Sequence, residues 1–269
     1  MNGIAPAAPA SLVPRRWNWR IFWTLEVAGV LAVVALLPYA WTLQAPLLKQ
    51  YRLPIPLAVL VPLQLLQNAI LIGCVVALGM WLAPKVGLGT PLLVEWTTGQ
   101  PVARRLLRVM PVWALWGVMT AVLILVLDAK LFVPQLPAIA HSEAANPAAW
   151  KGFLASFYGG IDEEIFLRFG IMTLLVLGLG RIFRTPECRP SGVAFWLANI
   201  ITAVLFGLSH LPATAALMPL TKLVVVRALV LNGISGVVFG VLYWKRGLES
   251  AMVSHFAVDI ALHVAAPLF

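Results

Sequence analysis

Residues 161–168 read IDEEIFLR, which places three consecutive acids and an arginine inside a strongly apolar stretch of the chain. The flanking segments, GFLASFYGG and FGIMTLLVLGLG, contain no charged residue, so the four ionisable side chains are expected at membrane depth. Moving an Arg or an Asp to the centre of a membrane helix costs roughly 2.5 to 3.5 kcal/mol. Four such groups cost on the order of 10 kcal/mol before any pairing, which is comparable to the stability of a whole domain. This cost indicates that the segment carries the function.

The composition of the chain is that of a polytopic membrane protein. It has 269 residues, of which 61% are hydrophobic and 11% charged, and its mean hydropathy is +0.94. We therefore predict an all-α transmembrane helical bundle of about seven spans that encloses a catalytic cavity within the membrane. An eighth span results if the fourth one breaks at Gly159-Gly160. The predicted spans are residues 18–43, 55–83, 109–134, 151–180, 193–215, 222–244 and 248–268.

The chain is expected to form a single membrane domain over residues 1–269. Ionisable residues concentrate in the second half of the membrane region, so residues 1–150 are interpreted as scaffold spans and residues 151–269 as the catalytic core. The first span is too long for the apolar core of a signal peptide and lacks a cleavage site, so we expect it to be retained. Cys74 and Cys188 lie far apart, and neither a disulfide framework nor a CxxC metal site follows from them.

The net charge of +9 follows the topology of the spans rather than a nucleic-acid-binding surface. Twelve lysines and arginines fall in alternate loops and five in the opposite ones, an asymmetry that predicts a cytoplasmic N-terminus. No aromatic-interleaved basic patch accompanies them, so no nucleic-acid partner is expected. The Ala/Leu/Pro-rich composition favours a bacterial plasma membrane. The twelve are Arg15, Arg16, Arg20, Lys85, Arg104, Arg105, Arg108, Arg181, Arg184, Arg189, Lys245 and Arg246, and the five are Lys49, Arg52, Lys130, Lys151 and Lys222.

The two adjacent glutamates of the acidic segment are expected to have different surroundings. Residues four apart share a helix face, so Glu164 can pair with Arg168, whereas Glu163 points about a hundred degrees away. One acid is then neutralised and the other is left free. A purely structural ion pair would need one acid, but the segment contains three.

Histidines follow on later spans. The sequence FGLSH places Phe206 and His210 one turn apart at the end of the fifth span. The sequence SHFAVDIALH places His255, Asp259 and His263 at i, i+4 and i+8, on one face of the last span. Such a face must meet protein or water rather than lipid.

The sixth span holds two polar residues that give a weaker signal. Asn232 lies beside Gly233 and Gly236, so it is interpreted as a polar residue that helps two helices pack. Arg227 is interpreted as a side chain that snorkels toward the membrane surface.

A carboxylate, several imidazoles and a further carboxyl group, all out of bulk water, are the components of a hydrolase. A carboxylate can act as a general base on water, a histidine can orient that water, and a His with an Asp or Asn can hold an oxyanion. No GxSxG motif is present and neither cysteine lies near a histidine, so no covalent nucleophile is indicated.

Zinc is the main competitor to this interpretation, with His210, His255, Asp259 and His263 as candidate ligands. It is disfavoured because no HExxH motif is present. Ligands spread over eight residues of one helix also span about 12 Å of its axis, too far to meet one ion. We therefore expect no metal and no other cofactor.

Three motifs, in order on successive apolar segments, resemble a known family. They are EExxxR (Glu163, Glu164, Arg168), FxxxH (Phe206, His210) and HxxxN/D (His255, Asp259). Together they resemble the CPBP family (CAAX proteases and bacteriocin-processing enzymes), also called the ABI family, of intramembrane glutamic endopeptidases, over roughly residues 150–265. The resemblance implies a helical bundle with a cavity in the membrane, and cleavage of a peptide bond by water without a covalent intermediate.

The resemblance also implies a role for each matching residue. The base that activates water would be Glu163, assisted by His210, and the oxyanion would be held by His255 and Asp259. The residues that would support the site are Glu164, Arg168 and Phe206.

Two features depart from the family pattern. Asp259 stands where the prenyl-protein proteases of the family carry Asn, and since an ionised Asp would repel an oxyanion, it must be protonated or act by orienting His255. At about 1.5 Å per residue, Glu163 and His210 lie about 25 Å from the cytoplasmic ends of their spans, whereas His255 lies about 13 Å and His263 about 25 Å from that end. His263 is therefore kept as a supporting candidate.

The sequence thus predicts an intramembrane protease whose partners are the lipid bilayer and a membrane-anchored or amphipathic peptide or protein substrate. Two other classes remain open. One is a non-proteolytic family member that acts as a bacteriocin-immunity or membrane scaffold protein. The other is a proton-coupled transporter with Asp162, Glu163 and Glu164 as its relay, which is disfavoured because the chain lacks repeat symmetry and paired broken helices.

Overall fold

The structure of the protein, a computed structural model, describes residues 17–50, 56–136 and 147–268. Within these ranges the architecture is all-helical and contains no strand, as the apolar composition predicts. Three of the basic residues used to predict the topology, Arg15, Arg16 and Arg52, lie outside the described residues, as does the side chain of Lys49.

Seven helical segments have the length of a membrane span, and they correspond one by one to the predicted spans. Six of them are both long enough and apolar enough to cross a membrane. The seventh, residues 149–179, is a continuous helix that carries the three acids, and we call it the acidic helix. It does not break at Gly159-Gly160, so no eighth span arises there. The α-helices are α1 (Trp19–Gln50), α2 (Leu57–Leu82), α3 (Pro91–Thr97), α4 (Val102–Leu127), α5 (Ala149–Tyr158), α6 (Thr173–Leu179), α7 (Gly192–Ser209), α8 (Leu211–Leu217), α9 (Lys222–Arg246) and α10 (Leu248–Asp259).

Several helices continue beyond their α-helical part, and α4 begins earlier than predicted. Residues 104–108, which precede the predicted span, belong to its first turns, because Pro101 immediately precedes the helix and no breaker follows until Pro111, which the helix tolerates. The extensions are a 3-10 turn after α2 (Ala83–Val86), π and 3-10 turns after α4 (Asp128–Phe132, Val133–Gln135), and π and 3-10 turns after α10 (Ile260–Ala265, Ala266–Leu268).

A single residue, Gly247, connects α9 to α10. Its φ of 97° lies in the left-handed region that glycine tolerates best, and a Cβ there would overlap Pro91 at the start of α3. The N–H of Leu248 donates a hydrogen bond to the carbonyl of Gly89 at 3.0 Å, which ties the reversal to the loop before α3. This tight connection fixes the offset between α9 and α10, and with it the depth of His255.

Helices approach one another closely where a glycine faces a neighbour. A Cβ on Gly117 of α4 would overlap the carbonyl of Ser254 in α10, and one on Gly79 of α2 would overlap the ring of Phe169 in the acidic helix. Small residues at such contacts are typical of membrane helix packing. The contacts assemble the core around the acidic helix. Core residues without exposed surface include Ile72, Val76, Ile165, Met172, Phe239 and Leu248.

The polar residues of the sixth span have other partners than the sequence indicated. Arg227 does not snorkel, because its guanidinium donates two hydrogen bonds, of 2.6 and 2.5 Å, to Asp128 in the π turn after α4. Asn232 donates to a carbonyl one turn earlier in its own helix, at 2.9 Å, and so does not join two helices. The amide that does so is Asn199 of α7, which is buried and donates to a carbonyl of α9 at 3.1 Å. Contacts between residues far apart in sequence decide these roles.

Two glycines of α9 give a matched test of this packing. A Cβ at Gly236 would lie 2.8 Å from the backbone of Ala203 in α7, whereas a Cβ at Gly233 would meet nothing within 4 Å. Gly236→Ala is expected to destabilise the protein by about 1–3 kcal/mol through overpacking, and to lower the midpoint of thermal unfolding in detergent. Gly233→Ala is expected to leave the midpoint unchanged or raise it, since alanine favours a helix by about 1 kcal/mol over glycine. Equal midpoints for the two variants would contradict the close approach of α7 and α9.

Candidate active site

Two π-helical segments widen the acidic helix around its acids. They are Gly159–Glu163 and Ile165–Met172, and Glu164 lies between them. Such wide turns are rare and often occur at functional sites. A wider turn advances less along the helix axis per residue. The glutamates therefore lie nearer the C-terminal end of the acidic helix, at Leu179, than a count at about 1.5 Å per residue places them.

Glu164 is fully buried, with no exposed surface. One of its oxygens accepts a hydrogen bond from Nδ1 of His255 in α10 at 2.8 Å. The other oxygen lies 3.3 Å from Nε of Arg168, which confirms the pairing expected from the four-residue spacing. Since a buried carboxylate is stable only when it is paired, Glu164 is held by these two partners.

Arg168 is also fully buried, and both oxygens and aromatic rings surround it. It donates a hydrogen bond to the carbonyl of Gly236 in α9 at 2.8 Å. Its guanidinium carbon lies 5.2 Å from the ring centre of Phe206 and 5.5 Å from that of Phe239. Cation–π contacts of this kind strengthen when water is excluded. The FxxxH motif thus supplies, through Phe206, part of the wall around the ion pair.

Glu163, His255 and Asp259 meet on the partly open side of this cluster. Nε2 of His255 lies 3.6 Å from an oxygen of Glu163 and 3.7 Å from an oxygen of Asp259. These distances are longer than direct hydrogen bonds and can accommodate a group that bridges the three side chains. The side chain of Glu163 is 23% exposed and that of Asp259 14%, against 4% for His255. The three groups therefore form the accessible face of the cluster.

The ring of His255 is fixed from several directions. It stacks on Phe239 with ring centres 4.4 Å apart, and the edge of Phe206 approaches it at 5.4 Å. A Cβ on Gly159 would overlap Oδ2 of Asp259 and would lie 3.1 Å from Nε2 of His255. Glycine at this position therefore lets α10 approach the acidic helix. Its only signal in the sequence was the Gly-Gly pair one turn before the acids.

His210 lies at the C-terminal end of α7. Its Nδ1–H donates a hydrogen bond to the carbonyl of Phe206 at 2.8 Å, so Nε2 is the free nitrogen and is an acceptor in the neutral ring. Its ring centre lies 4.7 Å from that of Phe206, and the ring of Phe206 also neighbours His255. Among the described residues no hydrogen bond or ion pair joins His210 to Glu163. The structure therefore links His210 to the cluster through Phe206.

His263 does not join the carboxylates. The last span becomes π-helical at Ile260–Ala265, so His263 leaves the face that His255 presents. Its ring packs edge-on against Tyr39 of α1, with centres 5.8 Å apart, and its backbone lies against Gly152 at the start of the acidic helix. The depth estimated from the sequence, at about 1.5 Å per residue, had made His263 a candidate for the site. The tight connection between α9 and α10, together with the π turns, brings His255 to the acids instead.

Asp162, the third acid of the segment, faces away from this cluster. It is fully buried, neither of its oxygens has a hydrogen-bond partner among the described residues, and it lies against Gly29 of α1. One turn earlier on α1, Glu26 lies against Gly73 of α2. Two further acids thus lie at the junction of α1, α2 and the acidic helix, and the role of Glu26 there had no signal in the sequence.

The candidate zinc ligands are not brought together in the described part of the chain. No group of three or more His, Cys, Asp or Glu side chains there has an arrangement that would hold a metal ion. Of His210, His255, Asp259 and His263, only His255 and Asp259 form a close pair, at 3.7 Å.

Comparison with known proteins places this cluster in a family. Residues 145–261 match the family model described as Rce1-like, type II CAAX prenyl endopeptidase. The matched segment includes Gly159, both glutamates, Arg168, His210, His255 and Asp259, and it ends before His263. No curated protein and no solved structure matches the chain.

The match and the order of the three motifs indicate the same family, and the six apolar helices agree with a membrane protein. Through residues 145–261 the chain is therefore similar to the Rce1-like, type II CAAX prenyl endopeptidases of the CAAX protease (CPBP) family, and its six apolar helices make it an integral membrane protein.

Proposed function

We propose that the protein hydrolyses peptide bonds in membrane-anchored or amphipathic peptides and proteins, using a water molecule activated by Glu163 and no covalent intermediate. The contrast between the two adjacent glutamates carries this proposal. Glu164 is fully buried between Arg168 and His255. Glu163 is 23% exposed and makes no hydrogen bond within the described residues. A carboxylate that is free, yet next to a fixed imidazole, suits a general base.

A water molecule between Glu163 and His255 would be placed to attack the carbonyl carbon of a bound peptide. Glu163 accepts a proton from this water as the new C–O bond forms, and the carbonyl oxygen becomes an oxyanion. The same proton then passes to the leaving nitrogen as the C–N bond breaks. His210 would assist by accepting a hydrogen bond from the water at its free Nε2.

His255 would stabilise the oxyanion, and its hydrogen bonds define how. Its Nδ1–H is taken up by Glu164 at 2.8 Å, so Nε2 can donate to an oxyanion only when both ring nitrogens carry a proton. The carboxylates of Glu164, Glu163 and Asp259 surround the ring and compensate this positive charge. Glu164 and Arg168 therefore act as positioning residues.

Asp259 would act through His255 rather than on the oxyanion. Its carboxylate lies 3.7 Å from Nε2 of His255, one turn further along α10. An ionised carboxylate repels an oxyanion but balances the charge of a doubly protonated ring. This role reconciles an aspartate with a position where prenyl-protein proteases of the family carry asparagine.

Two other functions predict a different dependence on Glu163. A bacteriocin-immunity or membrane scaffold protein would keep its function in cells after Glu163→Ala, whereas hydrolysis would not survive that change. A proton-coupled transporter would fail when the proton gradient is dissipated. Its relay would consist of Asp162, Glu163 and Glu164, and the oxygens of the buried Asp162 lack a partner among the described residues.

We place the protein in a bacterial plasma membrane with its N-terminus in the cytoplasm. Support comes from the described basic residues, since Lys85, Arg105, Arg108, Arg189 and Lys245 line one region at one end of the helices. Basic residues gather on the cytoplasmic side of membrane proteins. The lipid bilayer and the peptide substrate are the expected partners, and no cofactor is required by the proposed chemistry.

The adjacent glutamates allow a matched test of the base, with a quenched fluorescent library of membrane peptides and detergent-purified protein. Glu163→Gln is expected to lower kcat about a thousandfold, within the usual contribution of a general base, and to leave the unfolding midpoint unchanged. Glu164→Gln is expected to lower both, because Arg168 and His255 lose a buried anionic partner. Chelators should not affect wild-type cleavage. Unchanged cleavage by Glu163→Gln, or cleavage that chelation abolishes and zinc restores, would overturn the proposed mechanism.

Asp259 can be tested with two substitutions. Asp259→Asn is expected to keep kcat/KM within about tenfold of wild type, because an amide can still align His255 and can donate to an oxyanion. Asp259→Ala is expected to lose at least about a hundredfold, a typical cost for one group of an oxyanion site. An Asn variant as inactive as the Ala variant would show that the negative charge of Asp259, and not only its alignment of His255, is required.

The glycine beneath the cluster gives a steric test. Gly159→Ala is expected to reduce cleavage at least about a hundredfold, since displacement of catalytic groups by about an ångström is that costly. The control is Gly178→Ala in the same helix, where a Cβ meets nothing within 4 Å and full activity is expected. The unfolding midpoints of both variants show whether the loss is local. Full activity of Gly159→Ala would mean that His255 and Asp259 need not lie against the acidic helix.

A further inference from the structure

The ends of the helices divide into a basic end and a far end. The basic end consists of the start of α1, the segment between α2 and α4, the loop after α6 and the connection between α9 and α10. The far end consists of the start of α2, the end of α4, the starts of α5 and α9, and α8. By the positive-inside rule the basic end faces the cytoplasm. The direction in which the catalytic cluster opens therefore decides on which side of the membrane a substrate is cut.

The interior is closed between the carboxylates and the basic end. Arg168 and Phe169, which follow the glutamates toward the basic end of the acidic helix, are at most 1% exposed. One turn further, the hydroxyls of Thr173 and Tyr243 share a hydrogen bond of 2.7 Å between the acidic helix and α9, and both residues are buried. A salt-bridged arginine, an aromatic ring and a hydrogen-bonded pair thus seal this side.

A large cavity does lie at the basic end, but it stops short of the carboxylates. It encloses about 1000 Å³. Its lining includes Phe169 and Tyr243 of the seal, and none of Glu163, His255 and Asp259. The cavity is therefore separated from the catalytic cluster by the sealing residues.

The cluster is open in the opposite direction. The side chains that face this way are partly exposed, 23% for Glu163 and 14% for Asp259. Tyr158, His210 and His263, which all lie further toward the far end of their helices, are also partly exposed. Beyond His210, several residues of the short helix α8 are exposed. The partly exposed ionisable side chains of this region thus lie on the far-end side of the cluster, whereas the sealing residues on its basic-end side, Arg168, Phe169, Thr173 and Tyr243, are buried.

We infer that the catalytic cluster opens to the far end, which is the extracytoplasmic side, and that it cuts extracytoplasmic segments. The substrate class is an exported amphipathic peptide or the extracytoplasmic flank of a membrane anchor, rather than a lipidated C-terminal tail at the cytoplasmic surface. This substrate class rests on the proposed function, but the direction of opening does not.

The chemistry of the peptide bond narrows the cleavage position. Inside a transmembrane helix each carbonyl already accepts a hydrogen bond from the helix itself. A carbonyl can be polarised by His255 only where the chain is extended. The scissile bond therefore lies in an extended segment just outside a transmembrane or amphipathic helix, close to the membrane surface.

Cysteine accessibility tests the direction of opening without a substrate. Both native cysteines are exposed, Cys188 in the loop at the basic end and Cys74 on α2. In a Cys74→Ser protein, Cys188 reports on the basic end. In a protein that also carries Cys188→Ser, Ala213→Cys reports on the far end, because Ala213 is an exposed residue of α8, and Asp259→Cys reports on the cluster itself.

Right-side-out bacterial spheroplasts and inverted vesicles are treated with a small charged thiol reagent that does not cross membranes. Asp259→Cys and Ala213→Cys are expected to react at least about tenfold faster in spheroplasts, and Cys188 at least about tenfold faster in inverted vesicles, since thiol reactivity follows access. Faster reaction of Asp259→Cys in inverted vesicles would overturn the inference. Protection of Asp259→Cys from both sides, with a thiol that reacts after denaturation, would overturn it as well.

The same preparations separate this inference from the proposed function. If labelling occurs as expected but the wild-type protein cleaves no peptide, the direction of opening stands and hydrolysis fails. If wild type cleaves peptides in a Glu163-dependent manner but Asp259→Cys reacts from the cytoplasmic side, hydrolysis stands and the direction of opening fails.

If both results are as expected, an extracytoplasmic peptide added to intact spheroplasts should be cut by wild type and not by Glu163→Gln. Failure of that cut would reject the substrate class.

Discussion

An ionised carboxylate inside a membrane protein is stabilised by a cation and by hydrogen-bond donors around it, and Glu164 obtains such partners from two helices. Arg168 approaches at 3.3 Å from the same helix and His255 at 2.8 Å from α10. Arg168 in turn binds the carbonyl of Gly236 in α9 at 2.8 Å. Because all of these groups are buried, loss of any one leaves an uncompensated charge. The relative positions of the acidic helix, α9 and α10 therefore depend on this one cluster of charges.

This constraint also explains how two adjacent and chemically identical residues acquire different chemistry. Glu164 is fixed and neutralised, while Glu163 lies on the open edge of the same cluster, 3.6 Å from the other nitrogen of His255. The aromatic rings of Phe206 and Phe239 enclose Arg168 on one side of the cluster, while Glu163 and Asp259 are partly exposed on the other. The shielding of the buried ion pair thus leaves part of the cluster accessible.

Much of the architecture could be predicted from the sequence, because it depends on properties that act along one chain segment. Long apolar runs gave the seven helices, with their boundaries displaced by a few residues at most positions and by seven residues at the end of α1 and at the start of α4. Spacing of four residues gave the Glu164–Arg168 pair, since neighbours on one helix face are determined by helix geometry. The order of three short motifs indicated the same family as the match over residues 145–261.

Only the tertiary structure decided which groups from different helices meet. The choice of His255 over His263, the pairing of Arg227 with Asp128 and the need for glycine at position 159 all depend on contacts between helices. Such contacts are set by the offset between helices, and that offset depends on the tight connection between α9 and α10 and on π turns that alter the rise per residue. The sequence by itself determined the helices and the neighbours within each of them. The packing of those helices around one buried carboxylate decided the partners, because a shift of a single turn exchanges one histidine for another.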